Sequence, residues 1–135
     1  MRKRTKLFVL ALAMFVALVV TAGALAFVTG LTYDKTAHLT VSKTNATVTG
    51  LVQCDVVPDV QAQIYVSIIQ GKGRQLVLAS GGSTVLCTGQ PEQWTVVVTT
   101  SQGQTFSSGS ASVFVSAYGF DSNKSVAGPI QLSNK

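Results

Sequence analysis

Between Gln61 and Gln70 the chain reads QAQIYVSIIQ. Ala62, Ile64, Val66 and Ile68 fall on one parity, with Gln63, Tyr65 and Ser67 on the other. Successive strand side chains point to opposite faces, so this pattern makes one apolar face and one polar face, with no helical spacing. The same pattern recurs from His38 onward. Short runs rich in Val, Thr, Ile and Ser are broken by Gly, Asn and Pro. They cover 37–42, 46–54, 61–70, 75–80, 83–88, 93–100, 109–119 and 126–132. The segments 71–74, 81–82 and 89–91, rich in Gly, read as turns. Pro129 assigns the last run to a sheet edge, since proline has no N–H to give to a ladder. Seven or eight strands at roughly ten-residue spacing predict an all-β, immunoglobulin-like β-sandwich of antiparallel strands. Trp94 follows both cysteines instead of lying between them, so the order departs from a true immunoglobulin domain and the topology stays open.

The chain begins differently. Arg2, Lys3, Arg4 and Lys6 precede Leu7–Leu31, a stretch of 25 residues without charge. A basic start, an apolar Leu7–Val20 and the small-residue Thr21–Ala26 make a secretory signal peptide, an N-terminal hydrophobic export helix. Ala24-Leu25-Ala26 predicts cleavage before Phe27, and Ala22-Gly23-Ala24 is a second site. An uncleaved anchor is the competing reading, because Leu7–Leu31 is long enough to span a bilayer with its basic flank inside. Both readings put the following domain outside, either secreted or held at the membrane. The chain then divides into a signal peptide at 1–26 (or an anchor to about 31), a flexible lead-in at 27–36 and a β domain at 37–135.

The formal charge of +5 says little about the domain, because four of the ten basic residues lie in the first six positions. Beyond residue 26, Lys35, Lys43, Lys72, Arg74, Lys124 and Lys135 face Asp34, Asp55, Asp59, Glu92 and Asp121, for a net charge of +1. These bases form no patch, which argues against nucleic acid as a partner. Any membrane contact falls to the N-terminal segment. Cys54 and Cys87 are the only cysteines. An even count in an exported domain predicts a disulfide, with two buried free thiols as the alternative. Two cysteines and a single distant His38 do not make a four-ligand zinc site, so no metal or cofactor is expected.

No catalytic residue can be assigned. His38 lies in a strand beside Ala37 and Leu39 and reads as a surface residue. A hydrolytic triad needs a base held by a third group, and a glycosidase needs two facing carboxylates. Asp55 and Asp59 flank a loop at Pro58, where turn chemistry explains them. Two carboxylates are few for a calcium site. Gly71-Lys72-Gly73-Arg74 reads as a hairpin turn, with no helix after it to complete an anion site. Trp94 shares its parity with Val96 and Val98, which assigns it to the core. Asn45-Ala46-Thr47 and Asn123-Lys124-Ser125 are glycosylation sequons of a kind that arises often by chance.

Several motifs taken in order are similar to a bacterial family of small exported two-cysteine β domains of unknown function. They are Thr47-Val48-Thr49-Gly50 leading to Cys54, Val66-Ser67-Ile68-Ile69-Gln70, Cys87-Thr88-Gly89, Trp94-Thr95-Val96-Val97-Val98 and Gly109-Ser110-Ala111-Ser112-Val113. The resemblance spans about residues 45–120. It implies an exported β domain and supplies no activity.

Alternation also predicts a surface. If Trp94, Val96 and Val98 face the core, Val97 faces out. If Val113, Val115 and Ala117 face the core, Phe114 and Tyr118 face out. With 93–100 and 109–119 paired as a hairpin and 61–70 beside them, Val97, Phe114, Tyr118, Tyr65 and Ile69 form one exposed apolar surface. The alternative is that Val126–Leu132 folds back over them. The sequence therefore predicts a non-enzymatic interaction or structural module at or beyond the cell surface. Its partner would be a protein or cell-surface component, self-association included. A small secreted hydrolase or inhibitor is the reading from another class.

Overall fold

The computed structural model describes residues 28–55, 61–71, 75–119 and 122–134. The export segment, with Ala24 and Ala26, lies outside the described residues. Eight strands follow one another: β1 (Val28–Tyr33), β2 (Thr36–Leu39), β3 (Asn45–Cys54), β4 (Gln61–Gln70), β5 (Val77–Leu86), β6 (Glu92–Thr100), β7 (Gly109–Tyr118) and β8 (Asn123–Ser133). Among the described residues no helix is long and apolar enough to cross a membrane.

These strands do not make the expected sandwich. They form one sheet in the order β1-β3-β2-β8-β7-β4-β5-β6, and β6 pairs back onto β3. Seven strands thus close into a barrel. β3 is the closing strand. It is laddered to β6 from Asn45↔Thr99 to Val52↔Glu92. Its other flank is shared, with β2 taking Thr47 and Ala46 and β1 taking the stretch from Gly50 to Cys54. All pairings are antiparallel except β2–β8, which is parallel. A barrel and a sandwich show the same in–out alternation along each strand, so the difference lies in which edges meet.

One cause of closure is β5. The two runs expected at 75–80 and 83–88 are a single strand, laddered to β4 from Gln61↔Leu86 to Gln70↔Val77. Gly81-Gly82 lies inside it as strand, not as a turn. A Cβ on Gly81 would collide with the Val97 carbonyl oxygen, so only glycine admits this close approach of β6. β5 also meets β6 at Ala79↔Thr100 and Ser80↔Thr99, joining two walls of the barrel.

The expected β6–β7 hairpin is absent as well. β7 pairs with β4 and β8. The intervening loop crosses the barrel end and is anchored there. Phe106 is buried, and its N–H donates to the Lys43 carbonyl at 2.8 Å. The Gln104 side chain donates to the Leu76 carbonyl at 2.8 Å and accepts from the Leu78 N–H at 3.0 Å. The Gln70 amide donates to the Ser107 carbonyl at 2.7 Å and accepts from the Ser107 N–H at 2.9 Å. A loop held by these side chains delivers β7 to β4 instead of turning it back on β6.

The 27–36 stretch is not a lead-in from Val28 onward, since β1 buries Val28 and Leu31. A bulge between Val28 and Gly30 shifts their parity, which hid the strand from an alternation reading. β8 is not the edge strand that Pro129 predicts, because it lies between β2 and β7 in the closed sheet. It ladders to β2 only at 131–133, so no described strand pairs with Pro129 on that flank, and the Pro129 carbonyl accepts from the Tyr33 hydroxyl at 3.1 Å.

The barrel interior is filled by Trp94, Phe106, Ile64, Ile68, Ile130, Leu132 and a set of valines. Trp94 donates its indole N–H to the Thr32 carbonyl at 3.2 Å, which satisfies the polar end of a buried ring. Gly50 lies beneath that ring: a Cβ there would come within 2.5 Å of Trp94 Cζ2. The apolar side faces in while Ser, Thr and Gln face out, the reverse of the alternation in membrane-spanning barrels.

Candidate interaction surface

Cys54 ends β3 and Cys87 follows β5, and the two are joined in a disulfide with Cα atoms 5.4 Å apart. Both are buried. The bond ties together the two strands that flank β6 near its start. A disulfide is consistent with an extracytoplasmic location.

β4 and β7 are neighbours along almost their whole length. Their inward side chains pair as Ile64↔Ala117, Val66↔Val115 and Ile68↔Val113, all buried. Their outward side chains pair as Gln63↔Tyr118, Tyr65↔Ser116, Ser67↔Phe114 and Ile69↔Ser112. Each large apolar residue therefore stands opposite a small or amide side chain, in a staggered arrangement. Tyr65, Ile69, Phe114 and Tyr118 are each 44–50% exposed. β8 lies beside β7, with Ala127 opposite Phe114, and does not cover it.

The two tyrosines form a unit. Their ring centroids are 5.6 Å apart with planes at 73°, an edge-to-face contact. Tyr65 Oη donates to Gln63 Oε1 at 2.9 Å. Ser116 lies between the rings in the register and is buried although it points outward; its Oγ meets Ser125 Oγ at 3.1 Å. Farther along, Phe114 and Ile69 border an open groove of about 390 Å³, floored by the small side chains of Ser67, Ser112 and Ala127.

Val97 does not join this group. It is 50% exposed on β6, paired with Thr47 of β3, and β5 stands between it and β4. Its inclusion rested on the β6–β7 hairpin that the fold lacks. Leu78 takes the vacant place. It is exposed on β5 directly opposite Ile69. Outward parity runs from Leu78 to Leu86 through Gly82, but Gly81-Gly82, read as a turn, divides that pattern into two runs.

Among the described residues, no group of three or more His, Cys, Asp or Glu side chains is placed to hold a metal ion. His38 is exposed on β2. Asp55 follows β3 and is exposed, and Asp59 lies outside the described residues. No protein-family model and no curated protein sequence matches this chain.

Proposed function

We propose that this chain is an exported, non-enzymatic β module that acts at or beyond the cell surface by binding through the outer face of β4 and β7. The N-terminal segment carries it out of the cytoplasm, and is then removed or kept as an anchor. The observation that supports this reading is the contrast between Tyr65, Ile69, Phe114 and Tyr118 and what a strand needs on its solvent side. Threonine serves that purpose at Thr47, Thr49, Thr95 and Thr99 on β3 and β6, where the exposed large side chains are the aliphatic Leu51 and Val97 and no ring is exposed. On β4 and β7 the same positions hold large apolar groups that remain exposed. Aromatic residues clustered on an open face are characteristic of binding surfaces. The resemblance to small exported two-cysteine domains belongs to the same reading.

Phe114→Ser tests it. After chemical cross-linking in the producing cells, the wild-type chain is expected in a species larger than a monomer, with the variant running as a monomer. Both should melt at nearly the same temperature. A variant that stays in the larger species removes this face from the proposal.

A further inference from the structure

We infer that the partner of the β4–β7 face is a second copy of this chain, packed face to face about a two-fold axis; this rests on the binding role proposed above. Two features of the face point to that occupant. The first is charge. β4, β5 and β7 contain no charged residue. The charged residues of the described chain sit in turns, as Asp34, Lys35, Lys43 and Asp55, or at strand starts, as Glu92 and Lys124. A charged partner would find nothing to pair with here. An identical face meets it with no like-charge repulsion, and a net charge of +1 beyond residue 26 leaves little long-range repulsion between copies.

The second feature is shape. The exposed Phe114 ring stands at the border of the open groove over Ser67, Ser112 and Ala127. Projection and recess thus lie side by side on one patch. A two-fold operation places the ring of each copy over the recess of the other, as an isologous interface requires. Ser67 and Phe114 lie near the middle of their strands and pair with each other, so an axis through the patch brings position 114 of one copy near position 114 of the other.

A flat neutral glycan is the other uncharged ligand to weigh. It stacks on rings that share a plane, whereas Tyr65 and Tyr118 are locked nearly perpendicular. Aliphatic Ile69 and Leu78 beside them suit a protein surface better.

The test uses the full chain as purified from the cells that produce it, with sedimentation analysis over a concentration series. Wild-type protein should shift from monomer to dimer as concentration rises. Phe114→Lys and Phe114→Glu should each stay monomeric, while an equimolar mixture of the two should regain dimer through opposite charges at the axis. Gln53→Lys, on the outer face of β3, should dimerise like wild type, and thermal melts identify any variant that fails to fold. Wild-type protein that remains monomeric up to its solubility limit overturns the inference. In that case the cross-linked species seen in cells contains a different partner, and the binding role survives without self-association. Dimers that persist in both single variants also overturn it, because copies would then meet through another face.

Discussion

The β3–β6 and β4–β7 pairs are two walls of one barrel, built alike on the inside and differently on the outside. Each is a long antiparallel ladder. Inside, one presents Val48↔Val96 and Ala46↔Val98, the other Val66↔Val115 and Ile68↔Val113. Outside, β3 and β6 present Thr47, Thr49, Thr95 and Thr99 with the exposed aliphatics Leu51 and Val97, while β4 and β7 set the rings of Tyr65, Phe114 and Tyr118 among serines. Threonine favours the strand conformation and leaves a solvated surface, whereas serine is a poor strand former and exposed rings cost solubility. The fold could use threonine on both walls. The wall that carries the exposed rings is the one proposed above to bind.

The strongest challenge to this equivalence comes from the interior. Trp94→Ala on the β3–β6 wall should destabilise by about 3–5 kcal/mol and Ile64→Ala on the β4–β7 wall by about 2–5 kcal/mol, read by denaturant unfolding. A negligible cost on one wall would show that the two do not share a core. The disulfide joins the end of β3 to the residue after β5, next to the start of β6. Its closed loop spans a sequence separation of 33 residues, so replacing Cys54 and Cys87 together by alanine should cost roughly 3–4 kcal/mol. Amide exchange should then rise first near Val52 and Glu92 and least at Val66 and Val115; a uniform rise would remove the distinction between the walls.

A smaller effect isolates the glycine that admits the indole. Gly50→Ala should lower stability by a few kcal/mol, because the new methyl meets Trp94 and the Thr32 carbonyl. The smallest effects are expected outside. Phe114→Thr and Val97→Thr should each alter stability by no more than about 0.5 kcal/mol, since both side chains are half exposed. Only Phe114→Thr should reduce association. If Phe114→Thr cost as much as Ile64→Ala, the ring would be part of the core and the contrast between the walls would collapse.

The inward and outward assignment of nearly every strand was legible residue by residue. Val66, Val96 and Val115 are buried, while Tyr65, Val97 and Phe114 are exposed, as alternation required. The pairing of strands was not legible at the same level. A hairpin of the adjacent runs would bring Val97 to Phe114, but the anchored loop at Phe106 and Gln104 separates them. β1 is not legible from alternation because its bulge breaks the parity of Val28 and Leu31. Gly81-Gly82 looks the same in sequence whether the chain turns or continues as a strand.

Local chemistry therefore determined that this is an all-β protein, which side of each strand meets the core, and that five large side chains would be left facing out. These follow from side-chain periodicity, a property of each strand alone. Tertiary structure decided that β3 closes a barrel, that Leu78 and not Val97 lies beside Ile69, and that Phe114 borders a groove. These depend on which edges share hydrogen bonds. Every strand edge offers the same backbone donors and acceptors, so loop anchoring, a bulge and close approach at two glycines select among partners that sequence pattern alone does not distinguish.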